Sequence, residues 1–300
     1  FNFNQFKNSY NDFENALIES IRKRTDTDSL IGVPLSSGYD SGAICCILNS
    51  LGVKYRTYSV SGKENMKIVS KRIHINDVNF FIVDLQLETI NSEYKFLKDN
   101  CEKYKYDHQE NLEILGDKAT IGLSVLSRTA NKDGVKIMLS GSGADEILCD
   151  YAKEGKKIMF HSCFKGVFPD DLSEIIDNDP KKDVVWKSFY HSTMRDYLQK
   201  DEIITGLHGI EGRYPFLDKN VVQEFLNLSK DLKNKYKGGL ENIFNKNSYP
   251  YEHKKIGFNI SKENIRFDEN DNLEILEKPE PVIPPKFSKM NSKILLRMGK

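Results

Sequence analysis

The stretch Ile31-Gly-Val-Pro-Leu-Ser-Ser-Gly-Tyr-Asp-Ser-Gly-Ala-Ile-Cys-Cys-Ile-Leu48 decides the fold. An apolar run comes first, the small polar turn from Ser36 to Ser41 second, and an apolar run with helix-compatible spacing third. That order predicts strand, loop and helix. In an open α/β sheet, ligands collect where such a loop leaves the carboxyl end of a strand. Ser36, Ser37, Gly38 and Ser41 carry small side chains or none, so phosphate oxygens could approach the backbone N–H groups. The helix N-terminus behind them favours an anion.

The same residues limit the kind of loop. A Walker loop needs Gly-Lys-Ser/Thr, and no Lys follows Gly38; Asp40 stands there instead. A carboxylate beside phosphates repels them unless a divalent cation lies between. The local chemistry therefore suggests a nucleotide held by backbone amides, with magnesium bridged by Asp40. A Ser/Gly turn capping an ordinary helix, with Asp40 as a first-turn carboxylate, fits the same six residues.

Outward from this stretch the chain alternates. Asn11 to Arg24 places Phe13, Leu17 and Ile21 at four-residue spacing, an amphipathic helix that Asn11 or Asp12 could cap. Tyr55 to Val60 reads as a second strand, so a βαβ unit forms around the loop. Val78 to Leu85 reads as a third strand, apolar enough to be covered on both faces. Glu93 to Glu113 reads as a surface helix or insertion, Ala119 to Asn131 as a helix, and Val135 to Leu139 as a fourth strand. The expected class is α/β: a parallel twisted sheet with helices on both faces, followed by a mostly helical C-terminal part. Asp183 to Gln199 and Val221 to Leu228 carry that helical periodicity. Pro279, Pro281, Pro284 and Pro285 mark an extended segment before a basic end, Lys286 to Lys300.

The fourth strand runs into Ser140-Gly-Ser-Gly-Ala-Asp-Glu146, again strand, small turn and acid. Two such loops at the carboxyl ends of parallel strands can face one crevice. Asp40 and Asp145 would then serve one magnesium, completed by phosphate oxygens and water. Helix N-terminal acids, favoured by the dipole, are the alternative for Asp145 and Glu146.

Composition sets outer bounds. Three hundred residues suffice for one large domain or two modest ones. Lys plus Arg and Asp plus Glu both number 44, a balance that argues against an extended nucleic-acid surface. No apolar run approaches the roughly 20 residues of a membrane span, and no signal peptide is visible. Five cysteines without a CxxC pair point away from a disulfide framework or structural zinc and toward a reducing cytoplasm.

Several segments resemble one family. Ser36-Ser-Gly-Tyr-Asp-Ser41 resembles the pyrophosphate-binding PP-loop of the ATP pyrophosphatase superfamily, usually Ser-Gly-Gly-x-Asp-Ser, with Ser37 in place of the first Gly. Ser140 to Tyr151 is similar to the Ser-Gly-Glu-Gly-Ala-Asp-Glu segment of asparagine synthetases. Glu211 to Asp218 resembles that family's Glu-x-Arg-x-Pro-Phe-Leu-Asp, and His253 to Phe258 its Arg-x-Lys-x-x-Phe. The blocks fall in the family's order, as in the synthetase domain shared with β-lactam synthetases and lasso-peptide cyclases.

The resemblance implies an adenine nucleotide alpha hydrolase-like fold and an ATP-dependent amide-forming ligase. ATP and Mg2+ activate a carboxylate as an acyl-adenylate, pyrophosphate leaves, and ammonia or an amine attacks. An aspartate-like small carboxylic acid is the implied substrate. Lys255 matches the lysine that contacts adenylate and pyrophosphate, though a solvated lysine beside Lys254 is the alternative. Leu35, Val60, Ser140 and Gly141 match positions around the nucleoside, and Tyr39 belongs to the loop but also suits packing, as does Tyr151. Arg213 suits a substrate clamp or an ion pair with Glu211 or Asp218. Ser142 stands where asparagine synthetases carry Glu and β-lactam synthetases Tyr. A serine is a poor base at neutral pH, so Glu146 or a water is the candidate substitute.

Phe1 to Asn11 resembles the join after a glutaminase domain, and a first residue other than Met suggests a fragment or processed product. The expected division is a linker over 1–11, a synthetase domain over 12–262 and an extended, basic tail over 263–300, with a glutaminase domain or subunit as possible partner. A tRNA-thiolating enzyme would show a basic face and paired cysteines. A non-catalytic ATP-binding relative would explain Ser37 and Ser142.

Overall fold

The first four residues of the opening stretch do form a strand, and it lies at the centre of the sheet. In the computed structural model, described for residues 1–76, 79–101, 115, 117–150, 152–153, 156–157, 168–172, 193–253, 260–261, 264–268 and 272–276, the strands are β1 (Ile31–Pro34), β2 (Arg56–Val60), β3 (Asn79–Val83), β4 (Ile137–Leu139), a short hairpin of β5 (Ala152–Lys153) and β6 (Lys156–Lys157), and β7 (Glu211–Arg213). Five of them make one parallel sheet in the order β3-β2-β1-β4-β7. The chain leaves β1 toward β2 on one side and reaches β4 on the other. The topological switch therefore falls between β1 and β4, where an open α/β sheet forms its ligand crevice.

Helix α1 (Asn11–Thr25) leads into β1, and the connections between strands carry α2 (Tyr39–Ser50), α3 (Met66–Asn76), α4 (Leu87–Asn100), α5 (Ala119–Lys132), α6 (Ala144–Ile147) and α7 (Thr193–Leu207). After β7 come a 3-10 turn (Pro215–Leu217), α8 (Lys219–Asn227), α9 (Lys230–Lys233) and α10 (Gly238–Lys246). Phe13, Leu17 and Ile21 of α1 are buried as their spacing requires, each contributing about 2 kcal/mol by leaving water. Phe13 meets Phe225 of α8 edge to face. Helix α2 is buried from Ser41 to Leu48. Burial pushes the thiols of Cys45 and Cys46 up to about 12, so both are inert packing groups.

Three readings of the sequence are corrected. The third strand is not covered on both faces: β3 is an edge strand with Phe80, Phe81 and Ile82 exposed. An apolar run cannot by itself distinguish an edge from a centre. The part after the fourth strand is not helical throughout, because β7 adds a fifth parallel strand against β4; Glu211-Gly-Arg213 is too short and polar to announce it. Neither Asn11 nor Asp12 caps α1, whose N-cap is Tyr10 without a side-chain bond; Asp12 pairs with Lys7 at 2.6 Å instead. The residues of 102–114, Tyr151 and 183–192 lie outside the described set, as do the prolines and basic end beyond 276.

The chain divides into two compact units, 1–262 and 263–300. In the second, β8 (Asn264–Phe267) and β9 (Leu273–Leu276) pair antiparallel, with Arg266 Nε on Glu274 Oε2 at 2.6 Å. Among the described residues, no helix is long and apolar enough to cross a membrane.

The Pro-Phe-Leu-Asp segment is architectural. Phe216 is buried, and Asp218 accepts from the Asn220 N–H at 2.9 Å, capping α8. Arg24 and Lys23 both reach Asp218 Oδ2 at 3.2 Å. Burial pushes its pKa up, but the Asn220 N–H and the two cations outweigh this and hold it below the usual value. Asp218→Ala is expected to lower stability by about 1–2 kcal/mol at neutral pH. With the folded pKa below the unfolded one, this contribution is whole above about pH 4 and fades as pH falls through the folded value. Urea denaturation of both proteins at pH 7 and about pH 3 checks the convergence.

Candidate active site

The two small-residue loops leave the adjacent strands β1 and β4 side by side, and they touch. A Cβ at Gly141 would lie 2.9 Å from Asp40 Cβ and 3.2 Å from Ser41 N, so only glycine lets the loops approach this closely. Asp40 and Asp145 consequently line one cavity of about 440 Å³. Between them sits a cation the sequence did not single out. Lys237 Nζ is 2.5 Å from Asp40 Oδ1 and 2.6 Å from Asp145 Oδ1. Lys237 is 2 % exposed and left-handed at φ 54° as the N-cap of α10. Its N–H donates to Asp150 Oδ1 at 3.3 Å. Burial lowers its pKa, but Asp145, Asp40 and Asp150 outweigh that and hold it well above the ordinary value.

The ammonium shows that a cation is accommodated between the two carboxylates. No cluster of three or more metal-ligating side chains exists among the described residues. Two carboxylates, with phosphate and water completing the shell, are the pattern by which Mg2+ is held beside nucleotides. The donor set fits that ion.

The first loop is tied more tightly than a simple phosphate cradle. Ser36 N–H donates to Ser41 Oγ at 3.1 Å, Gly38 N–H to Ser36 Oγ at 3.1 Å, and Ser37 N–H to Glu64 Oε2 at 2.8 Å. Three amides expected to face an anion are thus engaged within the protein. Ser36, Gly38, Tyr39, Asp40 and Ser41 line the cavity with Leu35; Ser37 and the buried Val60 do not. Tyr39 turns its ring into the core against Phe244, and its hydroxyl donates to Glu241 Oε1 at 2.7 Å.

The second loop meets α7. Ser140 and Ser142 hydroxyls lie 3.0 and 2.5 Å from Asp201 Oδ2. Asp201 is buried, and burial raises its pKa against the opposing pull of Lys200 and the two serines. Glu146 accepts from the Gly143 N–H at 3.1 Å and so caps its own short helix. Lys200 pairs with Asp117 at 2.7 Å on the same cavity. Tyr58, Leu123 and Leu126 form an apolar wall beside Leu35.

Arg213 is not on the cavity: its Nε bonds Glu211 at 2.8 Å and its Nη1 the Arg24 carbonyl at 2.7 Å. Lys255 lies outside the described residues. Lys237 and Asp201 escaped the sequence reading because each sits in an ordinary charged run, Lys235-Tyr-Lys237 and Lys200-Asp-Glu202. The signal for Lys237 was the Gly238-Gly239 pair that follows it.

A family model for asparagine synthase matches residues 12–187 and 174–259. The chain belongs to the asparagine synthase family. It is 26 % identical over 223 residues to a putative glutamine-hydrolyzing asparagine synthetase of Methanocaldococcus jannaschii, covering 73 % of this chain and 36 % of that protein. It is 27 % identical over 273 residues to asparagine synthetase 2 of Oryza sativa subsp. japonica, covering 81 % and 39 %. For the Gallus gallus asparagine synthetase the values are 27 % over 248 residues, 79 % and 38 %. The chain thus spans well under half the length of these curated relatives. NMN synthetase from Francisella tularensis superposes at TM-score 0.34 with 14 % identity, over 74 % of this chain and 94 % of that one, too distant a likeness to bear on function.

Lys237→Met leaves two family carboxylates facing each other without a cation. It is expected to cost about 3 kcal/mol. Thermal denaturation with and without millimolar Mg2+ checks the cradle: Mg2+ raises the variant's Tm more than the parent's. An equal response in both would mean that the carboxylates do not take the metal.

Proposed function

We propose that this chain is the synthetase part of an ATP-dependent, amide-forming ligase. The observation that carries the reading is the convergence of Asp40 and Asp145, 105 positions apart in sequence, on one cation at the β1/β4 crevice. In this reading the adenine lies on the wall of Leu35, Tyr58, Leu123 and Leu126, and the phosphates reach the first turn of α2. Asp40 and Asp145 would hold Mg2+, which would supply charge neutralisation on the departing pyrophosphate. Lys237, held charged by Asp145, Asp40 and Asp150, supplies a positive charge at the same wall of the cavity.

A carboxylate oxygen of an aspartate-like acid attacks the α-phosphorus, and the bond to the β-phosphate breaks. Ammonia or an amine then attacks the acyl carbon, and AMP leaves. The proton shed by nitrogen goes to Asp201. Burial makes Asp201 a stronger base than an ordinary carboxylate, and Ser142 and Ser140 fix its position. Glu146, the sequence's candidate for this task, is engaged in its helix cap. Nitrogen comes from a glutaminase domain or subunit, or from another amine. The cysteines suit a reducing cytoplasm as the setting.

Exchange of labelled pyrophosphate into ATP tests the first half-reaction. It is expected to require Mg2+ and a carboxylic acid, and Asp40→Ala is expected to lower it at least 10³-fold; full exchange in that variant would sink the reading. Asp201→Asn separates the halves. Exchange should stay within about threefold, while amide formation falls on the order of 10²-fold, as measured by single-turnover product analysis.

A further inference from the structure

Beneath the first loop lies a charged side chain that neither the motifs nor the proposed chemistry uses. Arg72 of α3 is fully buried. Its Nη1 donates to two carbonyls of the loop, Ser36 O and Gly38 O, each at 2.7 Å, and its Nε donates to Pro250 O at 3.0 Å. Its guanidinium lies 5.6 and 5.5 Å from the ring centroids of Phe244 and Tyr249. Room for it exists because α2 carries glycine at position 42: a Cβ there would sit 2.6 Å from the guanidinium carbon. An arginine on α3 and a missing side chain on α2 thus form one fitted pair.

The fit has two physical consequences. A trans peptide points its C=O and N–H in opposite directions. Holding Gly38 O on Arg72 turns the Tyr39 N–H, the first of α2, away from the arginine and toward the cavity. The second consequence is charge. Arg72 is hydrogen-bonded to three carbonyls and, among the described residues, makes no salt bridge with a carboxylate. A buried cation without an ion partner is costly, and an anion arriving on the far side of the loop relieves that cost.

We infer that Arg72, seated against Gly42, is a positioning residue for polyphosphate: it aims the α2 amides and places a buried positive charge under the loop. This rests on the proposed ATP-using function and deepens it at the phosphate site. Arg72→Met leaves three carbonyls without their donor, so circular dichroism checks its fold, and Gly42→Ala carries the test if it does not fold. Gly42→Ala attacks the same pair from the other side and leaves the arginine present.

Calorimetry with inorganic pyrophosphate plus Mg2+, and ligand-observed NMR with adenosine, separate the roles. Arg72→Met and Gly42→Ala are each expected to weaken pyrophosphate at least tenfold, with adenosine affinity within twofold of the parent. Arg72→Lys restores part of the loss. If both variants bind pyrophosphate like the parent, or lose adenosine equally, Arg72 is only a core filler and the inference is overturned. If the unaltered protein binds neither pyrophosphate nor ATP, the proposed function itself fails.

Discussion

Two carboxylates drawn together require a cation, and the site depends on that requirement. Like charges about 4 Å apart repel by roughly 4 kcal/mol at a partly exposed protein site. Yet Gly141 brings the loops after β1 and β4 into contact, and Asp40 and Asp145 both reach one ammonium. Lys237 resolves the conflict from a third element, α10. It does so in a left-handed backbone conformation that a non-glycine residue adopts at a cost of about 1–2 kcal/mol. That cost is tolerable only because the ammonium is held by two carboxylates and its N–H by Asp150. The same electrostatic demand links the topology to the chemistry, since the switch between β1 and β4 is what places both acids on one crevice.

The charge inventory explains why a divalent ion belongs to the proposed reaction. Asp40, Asp117, Asp145, Glu146 and Asp201 line the cavity against Lys237 and Lys200, and Lys200 is already paired with Asp117. A triphosphate adds further negative charge to a wall that is acidic on balance. The first loop offers fewer amides than its composition suggests, because Ser41, Ser36 and Glu64 engage three of them. In the proposed reading, affinity for phosphate comes from the α2 N-terminus, from Arg72 beneath it and from metal between the acids.

The parts legible in the sequence were those with short-range signatures. The strand-loop-helix at Ile31 to Leu48, the second loop at Ser140 to Glu146 and the amphipathic faces of α1 and α8 all follow from periodicity and turn chemistry. What escaped has a common cause: its meaning lies in a partner distant along the chain. Lys237 reads as one lysine among several until two aspartates face it. Asp201 lies on a charged helix and becomes distinctive only beside Ser140 and Ser142. Arg72 looks like a surface residue between Lys71 and His74, because nothing local tells that Gly42 leaves space for a guanidinium. β7 was missed because a three-residue strand carries too little periodicity.

The pairing of Ser142 with Asp201 gives a physical account of the departure at the second loop. A carboxylate mounted on the loop itself would share that loop's freedom. Here the acid is carried by α7, a fifteen-residue helix, and the loop contributes only hydroxyls that hold it. A base on a helix, with its rotamer fixed by two hydrogen bonds, is better preorganised than one on a turn. Burial raises its basicity without requiring a second acid nearby. In the proposed mechanism Ser142 loses no proton itself; it orients Asp201, carried 59 positions further along the chain.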